Sequence, residues 1–110
     1  MMEEQEFRRR CDAALEALQR RLNDLAGEHD FEVEGHSGKL EILFEEPEET
    51  RFVISPNAPV RQIWISALAT SFKLGWSDAA SGFVLDKTGE PLNAVMSRIL
   101  SQQLGIQVTV

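Results

Sequence analysis

Nine carboxylates crowd into residues 28 to 49: Glu28, Asp30, Glu32, Glu34, Glu41, Glu45, Glu46, Glu48 and Glu49, with Lys39 as the lone cation between them. Ionised carboxylates are hard oxygen ligands and suit hard cations, Fe2+ and Fe3+ among those they can hold. Glu32 and Glu34 alternate with apolar residues, so in a strand they project from one side about 7 Å apart. That spacing is too wide for one closed mononuclear cage and suits a diffuse, hydrated site. The segment carries a balance of −8 and the rest of the chain +1, giving the overall −7. A field of that sign repels phosphate backbones and anionic membranes and attracts cations or basic protein surfaces. The competing explanation is a solvated surface that aids solubility, the commoner meaning of a charge run.

The stretch "RQIWIS", residues 61 to 66, offers a different chemistry. Strand alternation puts Ile63 and Ile65 on one face and Gln62, Trp64 and Ser66 on the other. If the isoleucines meet a core, the indole stands among polar neighbours, the composition of an interaction hot spot. Isolated surface hydrophobes are also ordinary, so this feature alone does not decide. Enzyme signatures are missing: there is no Gly-rich phosphate loop and no nucleophile elbow, and His29 and His36 lack ligand spacing. The chain therefore reads as a binding protein that catalyses nothing. Cys11 falls in an apolar helical stripe, where a thiol serves packing, and a single cysteine cannot form an internal disulfide. A cytoplasmic location follows, since Met1 to Arg10 lacks an apolar signal region and no stretch approaches about 20 apolar residues.

The elements that position these residues are written in the hydrophobic period. Phe7, Cys11, Ala14, Leu15, Leu18, Leu22 and Leu25 recur at helical steps, and Gly27 ends the run. Glu4 with Arg8, Glu6 with Arg10 and Glu16 with Arg20 are i,i+4 pairs on that helix. From Phe31 the period becomes two, through "GHSG" and "EEPEET" turns into "RFVIS", then "PNAP" as a separator before "VRQIWIS". "TSFKLGW" and "GFVLD" give weaker strand signals, and Pro91 suits the first position of a helix striped by Leu92, Val95, Met96, Ile99, Leu100 and Leu104. A chain of 110 residues in this order makes one domain over residues 1–110. The predicted class is α+β, a two-layer sandwich in which an antiparallel sheet of about five to six strands carries the N- and C-terminal helices on one face. Two helices cover one sheet face, so Trp64 is expected on the bare one.

In order and spacing, "EFRRRCDAALEALQRRL", "GKLEILF", "FVISPNAPVRQIWIS" and "GFVLDKTGEPLNAVMSRIL" resemble the frataxin family, including its bacterial forms. The most specific element is Pro59 followed by Gln62-Ile63-Trp64 on the fourth strand. The resemblance implies an accessory protein of iron–sulfur cluster assembly that binds iron weakly through surface carboxylates and docks on a cysteine desulfurase and its scaffold protein. It implies Asp24, Glu28, Asp30, Glu32 and Glu34 as the metal-facing carboxylates, although Gln19, Arg20, Asn23 and Ala26 occupy helix positions that are often acidic in relatives. Asn57, Gln62, Trp64 and Ser66 are the expected partner contacts, with Ser55 and Asn57 replacing the usual Asn and Gln, and Phe83 a usual Trp. In relatives the segment after the second helix lies between the helices, which "IQVTV" is expected to copy. The expected protein is a monomer with no nucleic-acid or membrane partner. The rival from another class is an acidic protein-binding chaperone of the secretion type, which works as a dimer.

Overall fold

The computed structural model describes residues 2–110. Helix α1 (Glu4–Ala26) buries Phe7, Cys11, Leu15, Leu18, Leu22 and Leu25, the predicted stripe, and ends on Gly27. Six strands follow: β1 (Glu32–His36), β2 (Lys39–Phe44), β3 (Thr50–Asn57), β4 (Gln62–Ala67), β5 (Thr70–Ser77) and β6 (Gly82–Leu85). Helix α2 (Leu92–Leu104) closes the order. The strands form one antiparallel meander in sequence order, with β1 and β6 at its edges.

Alternation along each strand sorts the side chains between two faces. Leu40, Ile42, Phe44, Phe52, Ile54, Ile63, Ile65 and Leu74 lie under the helices and are almost fully buried, together with Val95, Met96, Ile99 and Leu100 of α2. Aromatic rings bind the layers, with Phe7 of α1 edge-on to Phe83 of β6 at 5.9 Å. This is the predicted two-layer α+β sandwich, with six strands and both helices on one face.

Three local expectations are corrected. "PNAP" does not separate two strands: Pro56 and Asn57 extend β3 opposite Ile63 and Gln62, and a 3-10 turn at Ala58–Val60 makes the break. Pairing of β3 with β2 ends at Ile54, so the N–H that Pro56 lacks is needed by no neighbour on that side. Pro91 caps α2 with extended backbone and bridges Val84, and the first helical residue is Leu92. Of the three i,i+4 pairs, Glu4–Arg8 and Glu6–Arg10 close at 2.8 Å, whereas Glu16 and Arg20 remain apart in water, where such a pair gains little.

After α2, Gly105 adopts the left-handed conformation at φ 72° and turns the chain back. The tail then lies across both helices. Val108 is buried, the Ser101 hydroxyl bonds both its N–H and its carbonyl, the Ser97 hydroxyl accepts from Val110 N–H, and Arg21 of α1 donates to Thr109. Ile106 is half exposed, so the alternating tail buries its later members and not its first.

Candidate functional site

The bare sheet face carries Glu32 and Glu34 on β1, Glu41 and Leu43 on β2, Arg51, Val53 and Ser55 on β3, and Gln62, Trp64 and Ser66 on β4. Trp64 is 36% exposed there, an unusual setting for so large an apolar side chain. Its conformation is nonetheless fixed. The indole Nε1–H donates to Gln62 Oε1 at 2.9 Å, and Gln62 Nε2–H donates to Asp86 Oδ2 at 2.9 Å. Lys73, opposite Trp64 across the β4–β5 ladder, holds its ammonium 4.8 Å from the ring centre. Asn57 pairs with Gln62 across β3 and β4, and Ser66 stands exposed two residues beyond the tryptophan. The four residues expected to meet a partner thus share one face.

The acidic segment divides into two kinds of carboxylate. Glu41 is structural: its side chain is only 10% exposed. His36 Nε2 lies 2.9 Å from one oxygen, Lys39 3.7 Å from the same oxygen, and Arg51 3.3 Å from the other. The His36 hydrogen bond, with Arg51, His36 and Lys39 charges adding to it, outweighs the opposing effect of burial and holds the Glu41 carboxyl below the usual glutamate range. Counting Glu41 with the unneutralised acids is therefore wrong, and Lys39 is spent on it.

The other eight acids of residues 28–49 make no ion pair among the described residues. Asp24 stands on the last turns of α1, Glu28 and Asp30 in the connection, and Glu32 and Glu34 on the edge strand, all five exposed. Among the described residues, no three His, Cys, Asp or Glu side chains converge as a metal cage. An open concavity beside the start of β1 is lined by Asp30, Glu32, Glu45, Glu46 and Glu49, with His29 and Arg51 among them. Such a donor set fits a hydrated cation that keeps most of its water, or the basic surface of a protein.

Cys11 takes no part in this face. It is 1% exposed inside α1's stripe, and burial, with the neighbouring Asp12 charge adding to it, pushes its thiol up to about 12. A thiol so protonated is inert, as its place in the stripe implies. Sequence reasoning missed Lys73, Asp86 and Gly75. Lys73 was accessible through strand register once β4 and β5 were paired, but Asp86 lies past the end of β6 and carries no local signal.

A family model described as a frataxin-like domain matches residues 1–106 of this chain. An iron-sulfur cluster assembly protein CyaY from Pseudomonas fluorescens (strain Pf0-1) is 27% identical over 95 residues, covering 84% of each chain. The protein of the same name from Janthinobacterium sp. (strain Marseille) is 30% identical over 109 residues, covering 97% of this chain and 95% of its own. A solved frataxin from Psychromonas ingrahamii superposes with a TM-score of 0.83 at 18% identity, across 98% of this chain and 97% of that one, a likeness of fold.

Proposed function

The chain belongs to the frataxin-like family, and from that premise we propose that it serves iron–sulfur cluster assembly as an accessory protein, docking on a cysteine desulfurase–scaffold complex without catalysing a reaction itself. The observation that carries this reading is the clamped, half-open Trp64 on a sheet face that no helix covers. An aromatic anchor held in one conformation loses little freedom on binding, which is how hot-spot residues give affinity. Asn57, Gln62 and Ser66 surround it as polar contacts. The β1 edge, about 14 Å away across three strand spacings, adds Glu32 and Glu34 as a rim that steers a basic partner surface into place.

Asp24, Glu28, Asp30, Glu32 and Glu34 are the residues proposed to meet iron as cargo, at exposed carboxylates and with low affinity. No helix of the described residues is long and apolar enough to cross a membrane. The family match gives the secretion-chaperone reading no support. A pull-down with purified desulfurase and scaffold proteins tests the proposal. The double reversal Glu32→Lys with Glu34→Lys is expected to abolish capture in low salt, and undiminished capture counts against the acidic rim. Anaerobic titration with Fe2+ should move the amide signals of the five carboxylate residues before any others.

A further inference from the structure

The indole of Trp64 is held through a side chain that comes from beyond the last strand. Asp86 follows β6 and continues its ladder, its N–H reaching the Lys73 carbonyl at 3.3 Å. From there its carboxylate crosses the bare face to Gln62, which lies opposite Gly75 on the neighbouring strand. Gly75 leaves room for that crossing: a Cβ there would stand 3.2 Å from Asp86 Oδ1, close enough to push the carboxylate aside by a few tenths of an ångström. Gln62 has one amide and two tasks. Its NH2 donates to Asp86 and its oxygen faces the indole N–H, so the carboxylate decides which way round the amide sits. With the amide turned over, two N–H donors would confront each other and the indole would lose its acceptor.

We infer that Asp86 is a positioning residue for the bare face, fixing the orientation of the Trp64 indole through Gln62 across the gap that Gly75 leaves open. Its effect on docking rests on the function proposed above; its effect on the ring does not. Trp76 provides an internal control for the Asp86 variants, because its own indole N–H donates to Asp78 at 2.8 Å and its ring packs against Phe83.

The test compares wild type with Asp86→Ala, Asp86→Asn, Gly75→Ala and Trp64→Ala. In Asp86→Ala the Trp64 indole N–H signal is expected to move and to exchange with water about twofold to fivefold faster, as befits one weakened hydrogen bond. The Trp76 indole signal and the melting midpoint stay in place. Asp86→Asn, which keeps an acceptor oxygen, restores the wild-type Trp64 signal, and Gly75→Ala moves it in the same direction as Asp86→Ala. Capture of the purified desulfurase–scaffold complex falls about threefold to tenfold in Asp86→Ala, the cost of leaving one anchor side chain to be ordered on binding. An unmoved Trp64 indole signal in Asp86→Ala overturns the inference. So does full capture by Asp86→Ala when Trp64→Ala captures nothing. A moved indole signal with full capture by Trp64→Ala upholds the relay and overturns the docking function instead.

Discussion

Trp64 and Trp76 are built alike and face opposite ways. Each donates its indole N–H to a side chain two residues off, Gln62 in one case and Asp78 in the other. Each carries a cation over its ring, Lys73 at 4.8 Å and Arg10 at 4.2 Å. The difference lies in what else they touch. Trp76 packs edge-on against Phe83 at 5.3 Å, and its Arg10 comes from α1, so this ring fastens the first helix to the sheet. Trp64 takes both of its direct contacts, Gln62 and Lys73, from the sheet itself and fastens no helix. Similar local chemistry therefore serves the fold on one face and leaves the ring open to solvent on the other.

The contrast breaks first, and most strongly, at Trp76. Trp76→Ala should cost about 3 kcal/mol, because truncating a packed tryptophan leaves a cavity its neighbours cannot fill. A melting point lower by roughly 10–15 °C is the expected reading for a domain of this size. Trp64→Ala should change stability by less than about 1 kcal/mol, since its surroundings are solvent and polar side chains. Equal melting curves for the two variants would erase the distinction between the faces.

Removal of residues 106–110 ranks next, since it strips the buried Val108 and the hydrogen bonds from Ser97, Ser101 and Arg21 off the helix side. A loss of about 2 kcal/mol is expected, mainly from the apolar burial, with capture of the assembly complex unaffected. An unchanged thermal midpoint rejects the tail's structural role.

Glu41 sharpens the comparison from the bare side, for it is the acid there that belongs to the fold. Its carboxyl titrates below the ordinary glutamate value, so its stabilising effect is complete above the unfolded-state pKa of about 4.3. It is lost as pH falls through the depressed folded value. Chemical denaturation of Glu41→Gln is accordingly expected to show a weaker acid dependence than wild type between neutral pH and about pH 3. A slope identical to wild type would mean that the His36 and Arg51 contacts carry no weight. The smallest stability effect belongs to Glu32→Lys with Glu34→Lys, within about 0.5 kcal/mol of wild type by urea unfolding, because neither carboxylate has a partner to lose.

Periodicity made the architecture legible. The helical stripes of α1 and α2 and the alternation in β2 and β4 identify both the buried face and the exposed indole, since a one-residue slip would invert every side chain. The turn within "GHSG" was legible too, although Gly35 and His36 extend β1 and only Ser37 and Gly38 form the two-residue hairpin, both at positive φ. The β4–β5 turn gave no such signal. Leu68 and Ala69 occupy the same left-handed region at φ 54° and 60°, a conformation that the flanking ladder imposes against local preference. In the site, Trp64 and Glu32 were readable because one-strand alternation is enough to place them. Glu41 and Asp86 were not, because the contacts that decide their roles come from other strands: His36 of β1 and Arg51 of β3 in the first case, and in the second a partner two strands away.

The claim that the bare face receives the assembly machinery is tested most directly by recording amide and indole spectra while the purified desulfurase–scaffold complex is added. The account predicts early loss of the Trp64 indole signal together with the amides of Glu32, Glu34, Gln62 and Ser66, while the Trp76 indole and the α2 amides keep their intensity longest. Selective loss along α2 and the tail, with Trp64 unperturbed, would contradict it.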